Sequence, residues 1–218
     1  MLTVACVLRS GGDYKPEHVR HLRDGVRRHL RMAHRFVCLT DMRVDCEMIP
    51  LRNNWKGWWS KLEMLHEDMP RPVLYFDLDT IICGPLDDIA LGHRFTVLEN
   101  FWHKDRIGSG MMAWDCDLSV IYHAFAKSPP RFMREYVTQD NWGDQGFIRA
   151  HATIQMDRWQ RKHPGKVVSY KHHCRPGVDP KSPTIGRPVI PAGASVICYH
   201  GQPRPWKTPL WDMHKEIA

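Results

Sequence analysis

Asp77 and Asp79 are separated by a single residue and carry the clearest chemical signal in the chain. They end a short apolar run at residues 73–76, whose β-branched and aromatic side chains predict a buried strand. Residues two apart on an extended backbone project from the same face. Two carboxylates at the carboxyl end of a strand suit Mg²⁺ or Mn²⁺, with waters and substrate phosphates completing the shell. We therefore expect a metal site that handles a phosphorylated small molecule.

Asp-x-Asp is a short pattern, and two acids at a strand end are also ordinary turn residues exposed to solvent. The order of elements along the chain weighs against this second interpretation. Strands are predicted at residues 2–8, 35–39, 47–51, 73–76 and 196–199, with further apolar runs at 95–98 and 110–114. Helices are predicted from Pro16 to about residue 30, from Trp58 onward, and at 118–126 and 145–150. Strands that alternate with helices predict a mainly parallel sheet covered on both faces.

The length of 218 residues predicts one domain, or one domain with a small extension, and the sequence shows no internal repeat. Residues 163–193 are rich in Pro, Gly, Lys and His and predict a long, irregular functional loop.

The chain carries a formal net charge of +7. Its basic residues concentrate at 20–35 and 158–175, so a polyanionic partner, DNA or a phosphorylated glycan, is expected. Each run taken alone is also explained by a solvated helix face. Seven dispersed cysteines without a Cys-x-x-Cys pair favour reduced thiols in a cytoplasm. No apolar run is long enough to span a bilayer, and the first residues predict a strand rather than a signal peptide.

Seven segments, in this order, resemble the GT-A-fold glycosyltransferases, in particular the glycogenin-like retaining enzymes of glycosyltransferase family 8 and their bacterial and phage relatives. The segments are Cys6-Val7 through Gly12-Asp13-Tyr14, Phe36-Val-Cys-Leu-Thr-Asp41, Trp58-Trp59-Ser60-Lys61, Leu74-Tyr-Phe-Asp-Leu-Asp-Thr80, Ser109-Gly-Met-Met-Ala-Trp114, Gly143-Asp-Gln-Gly-Phe-Ile148 and Tyr199-His-Gly-Gln-Pro-Arg-Pro-Trp206. The resemblance covers nearly the whole chain. It implies a single GT-A domain at residues 1–218, with the nucleotide-binding part at about residues 1–82 and an acceptor-side part at about 83–218. It implies an α/β fold of the GT-A (Rossmann-like) type and transfer of a hexose from a nucleotide sugar, usually a UDP-sugar, with Mn²⁺ or Mg²⁺.

The resemblance also implies roles for individual residues. Metal ligands are expected at Asp77, Asp79 and His200, nucleotide-sugar contacts at Tyr14, Asp41, Lys61, Asp77 and Arg204, and catalytic groups at Lys61, Asp144 and Gln145. Arg204 stands where the family usually has Lys, which keeps the charge and adds a fork geometry for phosphate. Gly108 replaces an Asn common in glycogenin-like members.

The resemblance further implies retention at the anomeric carbon, with the departing phosphate taking the acceptor proton. The sequence leaves the acceptor open among a hydroxymethylated pyrimidine in phage-type DNA, a lipopolysaccharide or other surface sugar, and a protein or small metabolite. A bacterial or phage-infected cytoplasm is the expected location.

Two alternative functions belong to other classes of protein. A haloacid-dehalogenase-like phosphatase also has Asp-x-Asp after a strand, but Ile81 stands where that family has Thr or Val. A basic nucleic-acid-binding protein accounts for the charge, but not for the ordered set of motifs. A zinc site at His172-His173-Cys174 lacks a second ligand pair, so a basic loop is the better interpretation.

Overall fold

Two β-sheets organise residues 1–214, the part of the chain that this computed structural model describes; side chains are described as far as Asp212. The end of the predicted domain, residues 215–218, lies outside that part. The strands are β1 (Leu2–Leu8), β2 (His34–Thr40), β3 (Glu47–Pro50), β4 (Val73–Phe76), β5 (Thr80–Ile82), β6 (Phe95–Glu99), β7 (Ile107–Trp114), β8 (Asp157–Arg158), β9 (Val167–Ser169) and β10 (Val196–Cys198).

The larger sheet has seven strands in the order β3-β2-β1-β4-β7-β6-β8. Strands β3, β2, β1 and β4 run parallel, β7 is antiparallel to both β4 and β6, and β8 is parallel to β6. The sheet is therefore mostly parallel, as predicted. The carboxyl ends of β1, β2 and β4 meet at one edge, where ligands bind in open α/β sheets.

The smaller sheet has the order β5-β10-β9 and joins the late part of the chain to the Asp-x-Asp segment. Strand β10 pairs antiparallel with β5, and Cys198 lies opposite Thr80. One residue further on, the Tyr199 amide donates to the carbonyl of Asp79 at 3.2 Å. This pairing sets the backbone of His200 beside the turn that carries Asp77 and Asp79.

Within residues 1–214, six α-helices and several 3₁₀ segments cover the sheets. The α-helices are α1 (Pro16–His29), α2 (Ser119–Ala126), α3 (Pro129–Glu135), α4 (Gly143–His151), α5 (Trp159–Lys162) and α6 (Tyr170–His173). The helix predicted from Trp58 onward is a 3₁₀ helix, Gly57–Leu65. No helix within residues 1–214 is long and apolar enough to cross a membrane.

Alternating side chains of the central strands build a separate core on each face of the large sheet. Val4 and Cys6 face the core that includes the apolar side of α1, whereas Ala5 and Tyr75 face the core that includes the 57–65 helix, α2 and α4. Helix α1 begins with Pro16 and Glu17, and its last turn is basic, in agreement with the preferences of helix ends. The 57–65 helix and α4 therefore lie on the face opposite α1.

The predicted strands and the helices at 16–30, 118–126 and 145–150 are confirmed with small shifts at their ends. Helix α3, strand β5 and the short elements between residues 157 and 173 were not predicted. Most of the predicted irregular segment 163–193 is irregular, but it contains β9 and α6. Strand β9 and helix α6 are three and four residues long, which is too short for a periodic pattern to be recognised in the sequence.

Candidate active site

A buried lysine joins three segments at the carboxyl end of β4. The Nζ atom of Lys61 lies 2.8 Å from Asp77 Oδ1 and 3.2 Å from Asp144 Oδ2. It also donates to the hydroxyl of Ser109 at 3.2 Å, and that hydroxyl donates to Asp144 Oδ2 at 2.5 Å. Lys61, Ser109 and Asp144 are each at most 6% exposed. The fold thus unites Lys61, Asp77 and Asp144, three of the predicted site residues.

Electrostatics hold this lysine in its charged form. Burial alone would lower the pKa of Lys61, but attraction from Asp144 and Asp77 outweighs burial and raises the pKa above its ordinary value. Since a buried charge is costly without a partner, the two carboxylates and the cation depend on one another. The cluster provides a fixed positive charge beside the first Asp of the Asp-x-Asp pair.

A second cluster forms around Asp79, which is 5% exposed. Arg204 donates to Asp79 Oδ2 at 2.6 Å and to the Tyr14 hydroxyl at 2.9 Å. The Tyr14 hydroxyl in turn donates to the same carboxylate oxygen at 2.9 Å. The guanidinium also lies against the Tyr14 ring, 5.1 Å from its centroid. Tyr14, Asp79 and Arg204, which are distant in sequence, therefore share one hydrogen-bonded group.

The two clusters are electrostatically linked through their carboxylates. Burial and the nearby charge of Asp77 raise the pKa of Asp79 to about 6, despite the opposing effect of Arg204. Leu78, between the two aspartates, packs into the α1-side core. Two carboxylates close enough for Asp77 to raise the pKa of Asp79 repel each other, and a divalent cation bound between them would relieve that repulsion.

Within residues 1–214, however, the structure contains no preformed group of three His, Cys, Asp or Glu side chains that could hold a metal ion. Asp77 and Asp79 fit the oxygen-ligand preference of Mg²⁺ or Mn²⁺, ions that are commonly held by one or two carboxylates together with waters and substrate phosphates. The side chain of His200, the third predicted ligand, is engaged elsewhere.

His200 is part of an aromatic group on the other side of the turn. The indole Nε1 of Trp102 donates to His200 Nδ1 at 3.3 Å, and His200 Nε2 lies 2.7 Å from the Ser169 hydroxyl. Since indole only donates, Nδ1 is unprotonated and Nε2–H donates to Ser169. Burial and several neighbouring cations lower the pKa of His200 to about 3, so the ring is neutral. A neutral imidazole can bind a metal, but only by exchanging one of these partners.

Asp41, predicted to contact the nucleotide, lies at the carboxyl end of β2. Its Oδ1 accepts from the Ser10 amide at 2.8 Å, and its Oδ2 pairs with Arg9 at 3.1 Å. These contacts order the loop that follows β1. The side chain is at the ligand-binding edge of the sheet but belongs to neither the Lys61 nor the Asp79 cluster.

Gln145 follows Asp144 in the first turn of α4 and is half-buried. Its Oε1 lies 4.0 Å from the position that a Cβ atom would take at Gly108, where the family pattern has Asn. The same Cβ would lie 3.3 Å from the Leu98 side chain. Glycine at position 108 therefore relieves crowding beside Gln145.

Comparison with solved structures identifies the fold. GlyE, a glycosyltransferase from Streptococcus pneumoniae TIGR4, superposes with a TM-score of 0.64 and 13% identity over 94% of this chain and 57% of its own. The bifunctional glycosyltransferase WbbM gives 0.61 and 12%, over 94% and 46% of the two chains. The galactosyltransferase LgtC, solved with donor and acceptor sugar analogs, gives 0.61 and 12%, over 98% and 94%. The present chain thus spans little more than half of GlyE and nearly all of LgtC. No protein-family model and no curated protein sequence matches it.

The chain has the GT-A glycosyltransferase fold. Identities of 12 to 13% establish the GT-A fold and leave the reaction to be argued from the site. The GT-A architecture is the one that the ordered sequence motifs predicted. It leaves no structural support for a phosphatase of the haloacid dehalogenase type.

Two partners in this GT-A site were missed at the sequence level. The Tyr75 hydroxyl donates to Asp77 Oδ1, and Ser109 bridges Lys61 and Asp144. Tyr75 could have been found, because it lies two residues before Asp77 on the same strand face. Ser109 could not, because its position depends on the antiparallel pairing of β7 with β4, a tertiary feature.

Proposed function

We propose that this protein is a metal-assisted glycosyltransferase that moves a hexose from a nucleotide sugar to an acceptor hydroxyl. The observation that carries the proposal is the buried cluster in which Lys61 contacts both Asp77 and Asp144, at the ligand-binding edge of a GT-A sheet. A structural role alone gives little reason to bury Lys61 and Asp144 beside the partly exposed Asp77, because apolar residues of similar size are often equally stabilising.

The predicted site residues make different contributions to binding a diphosphate. Asp77 and Asp79 would hold a divalent cation, which stabilises the negative charge that develops on the leaving diphosphate. Arg204 and Lys61 supply fixed positive charges beside the same carboxylates. Arg204 presents a planar fork suited to phosphate oxygens. These groups stabilise charge that grows during bond cleavage, which is the most effective form of electrostatic catalysis.

Asp144 and Gln145 lie on the acceptor side, at the start of α4. Asp144 is fixed by Lys61 and Ser109, so its carboxylate is oriented before any substrate arrives. We assign it to the hydroxyl groups of the transferred sugar, with Gln145 next to it. Transfer breaks the bond between the anomeric carbon and the phosphate oxygen and forms a bond to the acceptor oxygen on the same face. The acceptor proton passes to the departing phosphate, and the configuration is retained, as in family 8.

A direct test is to incubate the protein with UDP-glucose or UDP-galactose, Mn²⁺ and, as acceptor, methyl β-D-glucopyranoside or methyl β-D-galactopyranoside, and to follow donor consumption and the configuration of the glycoside product by NMR. We expect consumption of one donor with retention, and a loss of at least about a hundredfold in Asp144→Asn. Asp115→Asn, which changes an exposed carboxylate just after β7, is the matched control and should keep full activity. An inverted product would reject the retaining mechanism. Equal rates in Asp144→Asn and the wild type would reject the assigned site.

A further inference from the structure

Two tryptophans lie side by side on the surface next to the Lys61 cluster. Trp58 and Trp142 are 52% and 51% exposed, and their ring centroids are 6.3 Å apart at a tilt of 38°. Exposing one large aromatic ring to water is ordinary, but two neighbouring rings form an apolar surface of the kind that binds a partner.

The backbone is shaped to keep the pair in place. Gly143, directly after Trp142, has a φ angle of +59°, and a Cβ atom there would lie 2.8 Å from Trp58 Nε1. The Trp58 indole therefore packs on the bare backbone of Gly143. Trp58 lies three residues before Lys61 on the 57–65 helix, and Trp142 two residues before Asp144. The two segments that carry the buried ion pair thus also carry the exposed rings.

The surroundings of the pair are polar. A shallow surface depression beside Trp142 is lined by Gln145, Arg106 and Arg149, among others. Arg106 donates to the Gln139 carbonyl and pairs with Asp140, both at 2.6 Å. Arg149 donates to the Asp140 carbonyl at 2.8 Å and to the Asn141 side chain at 3.1 Å. Arg106 is therefore paired with a carboxylate, whereas Arg149 is held by two neutral oxygen acceptors, so both guanidinium groups have fixed positions beside the pair.

A group of cations without ion pairs among the described residues lies on the other face of the large sheet. Four exposed arginines on and just after α1 make no ion pair with any described residue; they are Arg20, Arg27, Arg28 and Arg31. Helix α1 covers the face of the sheet opposite the 57–65 helix and α4. A polyanion held by these arginines would not run across the tryptophan pair.

We infer that Trp58 and Trp142 form an acceptor subsite for a neutral pyranose ring. This inference rests on the proposed function and specifies its acceptor. The C–H face of a pyranose is apolar and its rim carries hydroxyl groups, which matches an aromatic surface bordered by Gln145 and engaged arginines. A ring held there would lie within one helical turn of the residues that carry Lys61 and Asp144, so that its hydroxyl can approach the transferred sugar.

The binding test uses methyl β-D-glucopyranoside, methyl β-D-galactopyranoside and a single-stranded oligothymidylate as probes, each followed by NMR saturation transfer without donor. We expect at least one pyranoside to bind, and Trp58→Ala and Trp142→Ala each to weaken that binding by about tenfold. Trp58→Phe and Trp142→Phe keep an aromatic ring and should retain most of the pyranoside binding. Met48→Ala, which removes a side chain 49% exposed on β3, is the control for loss of exposed apolar surface. Absence of pyranoside binding, or oligothymidylate binding that requires Trp58, would overturn the inference.

Donor hydrolysis by water separates this inference from the proposed function. In the presence of Mn²⁺, the two alanine variants should hydrolyse the UDP-sugar as fast as the wild type while losing transfer to the bound pyranoside. Equal loss of hydrolysis and transfer would contradict an acceptor-only role. If the wild type binds pyranosides through Trp58 but consumes no nucleotide sugar, the proposed transferase function is wrong and the tryptophan pair is a sugar-binding surface only.

Discussion

The guanidinium of Arg204 and the carboxylate of Asp79 are paired at 2.6 Å, so the aspartate expected to help hold a divalent cation is paired with a cation of the chain itself. Tyr14 closes the group by contacting both partners. Arg204 Nε is buried and has no hydrogen-bond partner among the described residues. A buried donor without a partner costs free energy, which binding of a phosphate oxygen would recover. On the proposed function, Arg204 would compete with a metal at Asp79 and would bind a diphosphate when one is present.

Replacing Arg204 should separate these two effects. At about pH 8, Arg204→Gln is expected to bind Mn²⁺ alone several-fold more tightly, because a competing cation is removed from Asp79. The same variant should bind UDP in the presence of Mn²⁺ about tenfold or more weakly, because a phosphate contact is lost. Calorimetric titration measures both. Arg204→Lys, which keeps the charge, should resemble the wild type in Mn²⁺ affinity. Weaker Mn²⁺ binding in Arg204→Gln would contradict the competition.

Metal binding should depend on pH through Asp79. Burial and Asp77 raise the pKa of Asp79 to about 6, so the carboxylate gains a proton as the pH falls through that value. Since a metal binds the deprotonated form, Mn²⁺ affinity should be constant between about pH 7 and 8 and fall roughly tenfold per pH unit below about 6. Titrations at a series of pH values measure this directly. A constant affinity down to about pH 5 would show that Asp79 is not a ligand.

The central strands and helix α1 could be predicted because the sequence patterns that indicate them are local. The apolar runs of β1, β2 and β4 and the periodicity of α1 are visible in the sequence, and β-strands that alternate with helices predict a parallel sheet. The motif order then placed Lys61, Asp77 and Asp144 in one site, and the structure brings them together. Prediction fails where tertiary pairing decides the position, as for Ser109.

His200 shows a different limit of prediction from sequence. Its place in the motif predicted a metal ligand, and the pairing of β10 with β5 does bring its backbone to the Asp77–Asp79 turn. The direction of the ring is set by Trp102 and Ser169, contacts from two other elements that no local pattern reveals. The role of His200 as a ligand stays a prediction, and so do the nucleotide contacts of Tyr14 and Asp41.

The Lys61 cluster should behave as one unit in stability measurements. Lys61→Met leaves Asp77 and Asp144 without their shared cation, and we expect a loss of about 3 kcal/mol or more in the free energy of unfolding. Asp144→Asn in the same background should recover part of that loss, because one of the two unpaired carboxylates is removed. Urea denaturation of the single and double variants gives the coupling energy. Additive effects would mean that Lys61 and Asp144 do not interact as the structure shows.

Gly143 should be sensitive to a single methyl group. Gly143→Ala must accept both a positive φ angle and a Cβ atom 2.8 Å from the Trp58 indole. Gly165→Ala is the matched control, because Gly165 has a φ angle of +77° and nothing within 4 Å of such a Cβ. We expect about 1 to 2 kcal/mol of destabilisation at Gly165 and clearly more at Gly143. Thermal unfolding measures the difference, and equal losses would show that Trp58 does not pack on Gly143.

The most direct measurement of the central claim is calorimetric titration of UDP into the protein, with and without Mn²⁺, in the wild type and in Asp79→Asn. Our account predicts that UDP binds the wild type tightly only with Mn²⁺, and that Asp79→Asn weakens this binding by at least about tenfold. Circular dichroism of the variant checks that its fold is intact. Absence of UDP binding to the wild type under both conditions, or binding that is indifferent to both Mn²⁺ and Asp79, would contradict a metal-assisted nucleotide-sugar site at this edge of the sheet.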